Sequence, residues 1–527
     1  MRIRRLIVLG LGAGAVIGLG SAATVQRGTS PARRFAEVLE LVSQRFVDSV
    51  ASESLYVWSA RGLLNSLNDP YAQLFSPREL EQFARSTIGE RYGGIGASIE
   101  SHEGDAYIVR VFDGAPAARS GVRRGDRIVA VNGEPVKGLR LEEVTGRITG
   151  PAGTPVSIDF QSVGAAEPRR LDLRRAVVHS PAVPFSMVFG TDIGYVPLQH
   201  FSPTSAMELT SAIMRLRAEG ARRFVLDLRG NGGGGLDAAE LVSQLFLQRS
   251  QSIVNVRHRG EPDDRRMASE DGVSLREPVV VLVDGGTASA SEIVAGALQD
   301  HDRALIVGTT TFGKGLVQTV QMLDGGWAVK LTTGKWYTPS GRLIQRDRRV
   351  NEAGQLVEVQ PDSVESDSVR RARPAFRSDA GRRVYGGGGI TPDVIVSVDT
   401  LTTAEQALLR ALAPHGTRFA NAVFLTAIRH LDRATPGLEL PQAWADSLYA
   451  SLVARDVRID RGIWHAGSSV ALRILSNRMT GLARGDSAVV RETLEDDPQL
   501  GRAIALLRNA PTPTALLALA ADTTRGG

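Results

Sequence analysis

Apolar residues recur along this chain at changing spacings, and each spacing predicts a different kind of unit. In "FAEVLELVSQRFV", Phe35, Val38, Leu39, Leu41, Val42 and Phe46 fall on one broad face at helical spacing. "LYVWSARGLLNSL" predicts a second helix, closed by the turn residues of "NDPYAQLFSP". Residues 31–84 are too few for a core of their own, so this helical segment is expected to pack on another part of the chain. Over 88–176 the texture changes to short strands between glycine turns. "YGGIGASIE", "AYIVRVF", "DRIVAVNG" and "PVSIDF" read as strands, "APAARSG" and "RLEEVTGRI" as short helices. Over 177–400 strands and helices alternate, as in "RFVLDLRG", "AELVSQLFL", "VVVLVDGG", "ASEIVAGALQD" and "RALIVG", which predicts an α/β core. Inside it, residues 346–385 are charged and aperiodic and read as a surface insertion. Residues 401–527 turn helical again, rich in Ala, Leu and Arg. The expected fold class is multidomain α/β, with N-terminal helices, a small β domain, an α/β core and a C-terminal helical extension.

A chain of 527 residues is too long for a single core, which agrees with that division. Its formal charge of +5 comes without a basic cluster, so nucleic acid is not an expected partner. With no cysteine there is no disulfide, thiolate metal site or thiol nucleophile. The first residues speak to compartment. Arg2, Arg4 and Arg5 precede an apolar run from Leu6 to Ala23, and Ser21 and Ala23 suit a small-x-small cleavage site. Residues 1–25 thus read as a signal peptide or, since the run 6–23 is long enough to span a bilayer, as an anchor in the inner membrane. Both readings export the body of the protein to the periplasm or cell envelope, because the arginines stay inside.

The candidate chemistry lies in the α/β core. "PVVVLVDGG" runs through a turn into a helix that begins between Ala288 and Ser291. A serine at such a junction stands at the end of a sheet, beside helix N–H groups that can hold an oxyanion. Ser289 and Ser291 both qualify, and either also suits a helix N-cap. A serine nucleophile needs a base. The eight histidines are scattered, and no HExxH zinc spacing occurs. Lys314, between Gly313 and Gly315, is the remaining candidate, although a lone lysine between glycines is more often a solvated turn. A free lysine titrates near ~10.4, so acting near pH 7 requires lowering it by roughly 3 units, about 4 kcal/mol. No acidic residue lies between Thr309 and Thr319, while Phe312, Leu316 and Val317 can desolvate the amine and Gln318 can orient it. "DLRGNGGG" ends a strand with a glycine turn, Gly232 to Gly235. It lacks the Lys-Ser/Thr of a phosphate loop and suits the other half of an oxyanion site. No metal or cofactor is required.

"GAPAARSGVRRGDRIVAVNG" (114–133) resembles a PDZ domain. The resemblance implies that the loop Gly93, Gly94, Ile95 and Gly96 aims backbone N–H groups at a peptide's terminal carboxylate, and that the peptide adds to strand 97–100. "DIGYVPLQHFS", "FVLDLRGNGGG", "VLVDGGTASASEIVAGALQDHDRALIVG", "TFGKGLVQ", "KLTTGKWYTPSGRLIQ" and "GITPDV" then follow in order. Together with "NDPYAQLF" they resemble the C-terminal processing (tail-specific) serine proteases over residues 35–400. That resemblance implies a crotonase/ClpP-like protease core, with Ser289 as nucleophile, Lys314 as base and Gln318 as the residue that orients it. It also implies the backbone amides of Gly233 and Ala290 as oxyanion donors. The expected partners are protein substrates with unstructured C-termini, and the Ala/Leu-rich tail is compatible with a homo-oligomer or an adaptor. Three positions depart from the family's pattern: Gly232 replaces its usual Pro, Thr309 a common Glu, and Thr149 a frequent Arg before Gly150, with Arg147 nearby. Residues 346–385 and 401–527 lie outside the shared pattern. Two rivals stay open: an inactive relative that binds C-terminal peptides without cutting, against which the intact Ser/Lys/Gln set argues, and a crotonase-like core acting on acyl thioesters.

Overall fold

The computed structural model describes residues 30–87, 92–274, 276–350, 356–358, 366–397 and 401–523. The segment 1–25, read above as a signal or anchor, lies outside the described residues. No described helix is long and apolar enough to cross a membrane. The chain divides after Leu67 into two units. The first holds the helices Pro31–Arg45 and Ser52–Ser66. The expected helical segment 31–84 is therefore not one unit: from Asn68 onward the chain belongs to the second. Gln73–Phe75, hidden among turn residues, is a strand paired antiparallel with Ala328–Tyr337, and Phe75 is buried. Three residues carry no periodic signal; the tertiary pairing makes the strand.

The valine-rich "VVVLV" runs through the middle of a six-stranded sheet. Its order is Met187–Phe189, Ile193–Pro197, Arg223–Asp227, Val279–Val283, Leu305–Gly308 and Val394–Ile395. All neighbours are parallel except the first pair. Such strands are apolar at successive positions because both faces are covered. Val279, Val281 and Val283 join one cluster with helices Ser205–Ala218, Leu236–Gln244 and Ala290–Asp300. Val280 and Leu282 join the opposite cluster, with Leu500, Ala503, Ile504 and Leu507 of helix Pro498–Arg508. The end of the C-terminal extension thus covers one whole face of the central sheet. Parallel strands gather Asp227, Val283 and Gly308 at one edge, where ligand-binding loops of such sheets leave.

A second sheet of five strands contains Gln73–Phe75, Leu316–Met322, Ala328–Tyr337, Ser252–His258 and Asp264–Met267. Its strands are polar or half-exposed along much of their length, so no apolar alternation announced them. At the far end of helix Ala290–Asp300, fully buried Arg342 pairs with Asp300 at 2.5 Å, and Arg382 with Asp302 and Asp393 at 2.5 Å each. The described ends of segment 346–385 are therefore built into the core rather than laid over it. Arg346 also donates to the carbonyls of Phe312, Thr311 and Gly388.

The PDZ-like sheet places Ala97–His102 at its edge, followed by Asp105–Val111, Arg127–Val131, Pro155–Gln161 and Arg169–Arg174. Asn132 and Gly133, at φ 53° and 82°, form the two-residue turn their sequence predicts. The expected loop 93–96 is shorter than foreseen. Tyr92–Gly94 is a strand paired with Ala176–Val178, leaving Ile95 and Gly96 as the turn. The other face of this sheet rests on a bundle of Thr403–Leu412, Gly416–Arg429, Gln442–Val453 and Arg461–Arg484. Tyr107 enters the bundle's apolar core, His102 stacks on Phe424 at 3.7 Å, and Glu103 pairs with Arg455 at 2.5 Å.

Candidate active site

Val279–Val283 ends in a turn organised by Asp284, whose Oδ1 accepts from the amides of Gly230 (2.9 Å), Gly286 (2.9 Å) and Thr287 (3.0 Å). The chain then passes Ser289 at φ 57°, ψ −114° and enters helix Ala290–Asp300. A non-glycine residue there costs on the order of 1–3 kcal/mol, and a strained strand-to-helix turn is how a nucleophile elbow presents its side chain. Ser289 is half-buried. Ser291 is wholly buried, and its hydroxyl donates to the Asn231 carbonyl at 2.9 Å. The two serines left open by local chemistry thus stand in different situations.

The glycine turn lies against this elbow. A Cβ on Gly233 would sit 2.8 Å from the Ala288 carbonyl oxygen and 2.9 Å from both the Ala290 nitrogen and Ser289 Cβ, and its φ is +100°. Only glycine fits on both counts. Gly233 and Ala290, the first residue of the helix, are therefore brought together. The Gly233 amide donates to Asn231 Oδ1 at 2.9 Å in this arrangement. Buried Asn231 also donates to the Leu198 carbonyl at 2.7 Å and accepts on its own carbonyl from the Ala288 amide at 3.0 Å. Beneath the turn, Tyr195 donates to Asp227 at 2.8 Å. Arg229 bonds Asp227 at 2.7 Å and reaches Asp497 (2.9 Å) and Gln499 (3.2 Å) of the C-terminal extension. Burial works against the Arg229 charge, but Asp227 and Asp497 raise its pKa overall.

The lysine loop is tied to the serine turn by one carboxylate. Glu292, wholly buried one turn into the helix, accepts on Oε1 from the Thr311 hydroxyl (2.5 Å) and the Gly313 amide (2.7 Å). Its Oε2 accepts from the amides of both Ser289 (2.8 Å) and Lys314 (2.9 Å). Burial pushes the Glu292 pKa up, and these four donors pull against that shift. Along the loop no acidic residue lies near Lys314; the helix supplies one to the loop's backbone. The Lys314 Nζ lies over the Tyr71 ring, 4.5 Å from its centroid. Gln318 follows a bulge in Leu316–Met322, and its buried Nε2 makes no hydrogen bond.

Glu292→Gln replaces an oxygen that joins two backbone donors, or the pair beside it, with an amide NH₂. Two donors then lose their acceptor, the amides of Ser289 and Lys314 or the Thr311 hydroxyl and Gly313 amide, at about 1–3 kcal/mol each. The expected result is a kcat about 10–100-fold lower, with stability reduced by about 2–6 kcal/mol, read by steady-state kinetics and denaturant melts. Glu292 was within reach of the sequence: Ser289-x-x-Glu292 before an apolar run has the spacing of a capping box. Tyr71 and Asn231 lie inside the motifs NDPYAQLF and DLRGNGGG, but nothing local pointed to their contacts or to the pairing of Arg229 with Asp497.

The PDZ-like domain holds a cleft of about 510 Å³ between its edge strand and helix Leu141–Ile148. Gly94, Ile95, Gly96, Ile99, Phe112 and Ile148 line it, together with Arg78 of helix Pro77–Thr87. Gly93 does not line it. A Cβ there would lie 2.1 Å from the Gly150 carbonyl oxygen, so Gly93 serves close packing.

Two family models match this chain: peptidase family S41 over residues 192–364 and the PDZ domain over residues 107–162. The S41 match runs into the segment 346–385 that was read as lying outside the shared pattern. The carboxy-terminal processing protease CtpA of Bacillus subtilis is 34% identical over 335 residues, 64% of this chain and 70% of that protein. A carboxy-terminal-processing protease of Bartonella bacilliformis is 37% identical over 317 residues, 59% of this chain and 72% of that protein. Among solved structures, a photosystem II D1 C-terminal processing protease is 28% identical, covering 71% of this chain and 95% of that one, with a TM-score of 0.37.

Proposed function

Because this chain belongs to peptidase family S41 and is a C-terminal processing serine protease with a PDZ domain, we propose that it is an exported endopeptidase cutting through a Ser289–Lys314 dyad. Neutral Lys314 takes the Ser289 proton as Oγ attacks the scissile carbonyl. The Gly233 and Ala290 amides receive the oxyanion, Gly233 by turning from Asn231 or sharing its hydrogen. The Lys314 ammonium then protonates the leaving amine, and water cleaves the acyl-enzyme with Lys314 again as base. Gln318 orients the amine without charging it. The observation that supports this most is Glu292 Oε2, one atom that holds the amides of both Ser289 and Lys314. Export is supported by the arginines and apolar run of residues 2–23.

Substrate selection follows from the PDZ domain. Ala97–His102 is an edge strand to which an extended chain can add, and the turn Ile95–Gly96 lines the cleft beside it. An unfolded protein with an apolar C-terminus should be degraded about tenfold or more faster with a free terminal carboxylate than with a terminal amide, followed by gel or fluorescence. Equal rates for the two substrates would remove tail reading from the proposal.

A further inference from the structure

The base lysine needs an environment that tolerates two charge states, and its amine lies over the ring of Tyr71. Tyr71 lies in the turn after Asn68, its amide donating to Asp69 Oδ1 at 3.2 Å. Two residues on, Gln73 pairs with Lys330 in strand Ala328–Tyr337. On the other side of that strand, Thr332 is the partner of Gln318. The Lys314 amine lies over the Tyr71 ring at 4.5 Å, within the ~6 Å reach of a cation–π contact.

We infer that Tyr71 is the positioning residue of the base: its ring face seats the Lys314 amine and stabilises the ammonium that forms when Ser289 gives up its proton. This rests on the reading of Lys314 as base. The proton moves from Ser289 Oγ to Lys314 Nζ and later to the leaving amine; the ring exchanges no proton and forms no bond. A carboxylate at that place would favour the ammonium strongly and take the base out of service near neutral pH. A ring favours it weakly, which suits a group that must be neutral at rest and charged at the transition state.

The charged groups on the surrounding elements include Asp69 on the same turn, Lys330 and Lys335 on the neighbouring strand, Glu292 beneath the loop and Arg346, which donates to the Phe312 and Thr311 carbonyls. Lys330 lies over the rings of Phe75 (5.4 Å) and Phe83 (4.8 Å); burial lowers its pKa and Asp69 opposes that. The Glu292 oxygens are taken up by four donors on the loop and turn.

The test measures phosphonylation of Ser289 by a small fluorophosphonate across pH, a reaction that forms the Ser–O–P bond, releases fluoride and needs no tail recognition. The full chain is compared with Tyr71→Phe, Tyr71→Leu and Lys314→Ala. The ring raises the lysine pKa by favouring the cation, so an aliphatic side chain that still keeps water out lowers it. The acid limb of Tyr71→Leu is therefore expected about 0.5–1.5 pH units below that of the wild type, with a plateau rate about 3–30-fold lower, while Tyr71→Phe keeps the wild-type limb. A Tyr71→Leu limb that stays in place or moves upward overturns the inference. Tyr71→Met repeats the comparison if the leucine variant does not fold. Labelling of Lys314→Ala at the wild-type rate would overturn the base itself; a silent Lys314→Ala beside an unmoved Tyr71→Leu limb overturns only the role of the ring.

Discussion

Ser289→Ala is expected to lose cleavage of unfolded protein, by a factor of about 10⁴ or more, while Ser291→Ala keeps it. The two serines lie on the same turn of sequence, but their hydroxyls have different tasks. Ser291 is sealed in the core and holds the Asn231 carbonyl at 2.9 Å. Removing it costs one buried hydrogen bond, about 1–2 kcal/mol of stability. Asn231 keeps its bonds to Leu198 and Gly233, so the glycine turn stays in place. Ser289 occupies the strained corner at φ 57° where the helix begins, and its removal leaves no oxygen to attack. Peptide mass mapping of the fluorophosphonate adduct separates the two: the adduct belongs on Ser289, and an adduct on Ser291 would reverse the assignment.

Lys314→Ala is expected to lower kcat by about 10²–10⁴-fold, the range for loss of a general base, with little change in thermal stability. The lysine's backbone ties the loop in place. Its amide donates to Glu292 Oε2 at 2.9 Å, and its carbonyl accepts from the Trp336 indole at 3.1 Å. Alanine preserves both. Lys314→Arg should be as inactive as the alanine variant, because a guanidinium stays protonated at working pH and cannot accept the serine proton. Kinetics paired with a thermal melt checks both parts; activity lost together with the fold would show that the side chain is structural.

Much of this arrangement was legible in the chain because it rests on local patterns. The parallel strands announced themselves through valines on two buried faces, and the serine turn through small residues between a strand and a helix. The PDZ-like strands were visible through glycine turns such as Asn132-Gly133. What escaped depends on contacts distant in sequence. Gln73–Phe75 becomes a strand only by pairing with Ala328–Tyr337, and it carries the turn that sets Tyr71 on Lys314. The C-terminal extension read as generic Ala/Leu helices; its apolar positions cover the central sheet, and Asp497 reaches Arg229 under the glycine turn. Residues 346–385 looked like an insertion because Arg346 and Arg382 are charged, yet both are bonded inside the core. Charge in a sequence predicts solvent only until a partner is found.

Glu292 marks the boundary between the two cases. Its spacing from Ser289 is a local signal, but its bonds to Gly313 and Lys314 cross from the helix to a loop some twenty residues on. A capping box satisfies the helix that contains it. Here the same carboxylate also fixes the lysine loop.

The most direct test of the account is degradation of an unfolded protein with a free apolar C-terminus by the wild type, Ser289→Ala, Ser291→Ala and Lys314→Ala, each lacking residues 1–29. The expected result is cleavage by the wild type and Ser291→Ala and none above background by the other two. Cleavage by Lys314→Ala within tenfold of the wild type would contradict it.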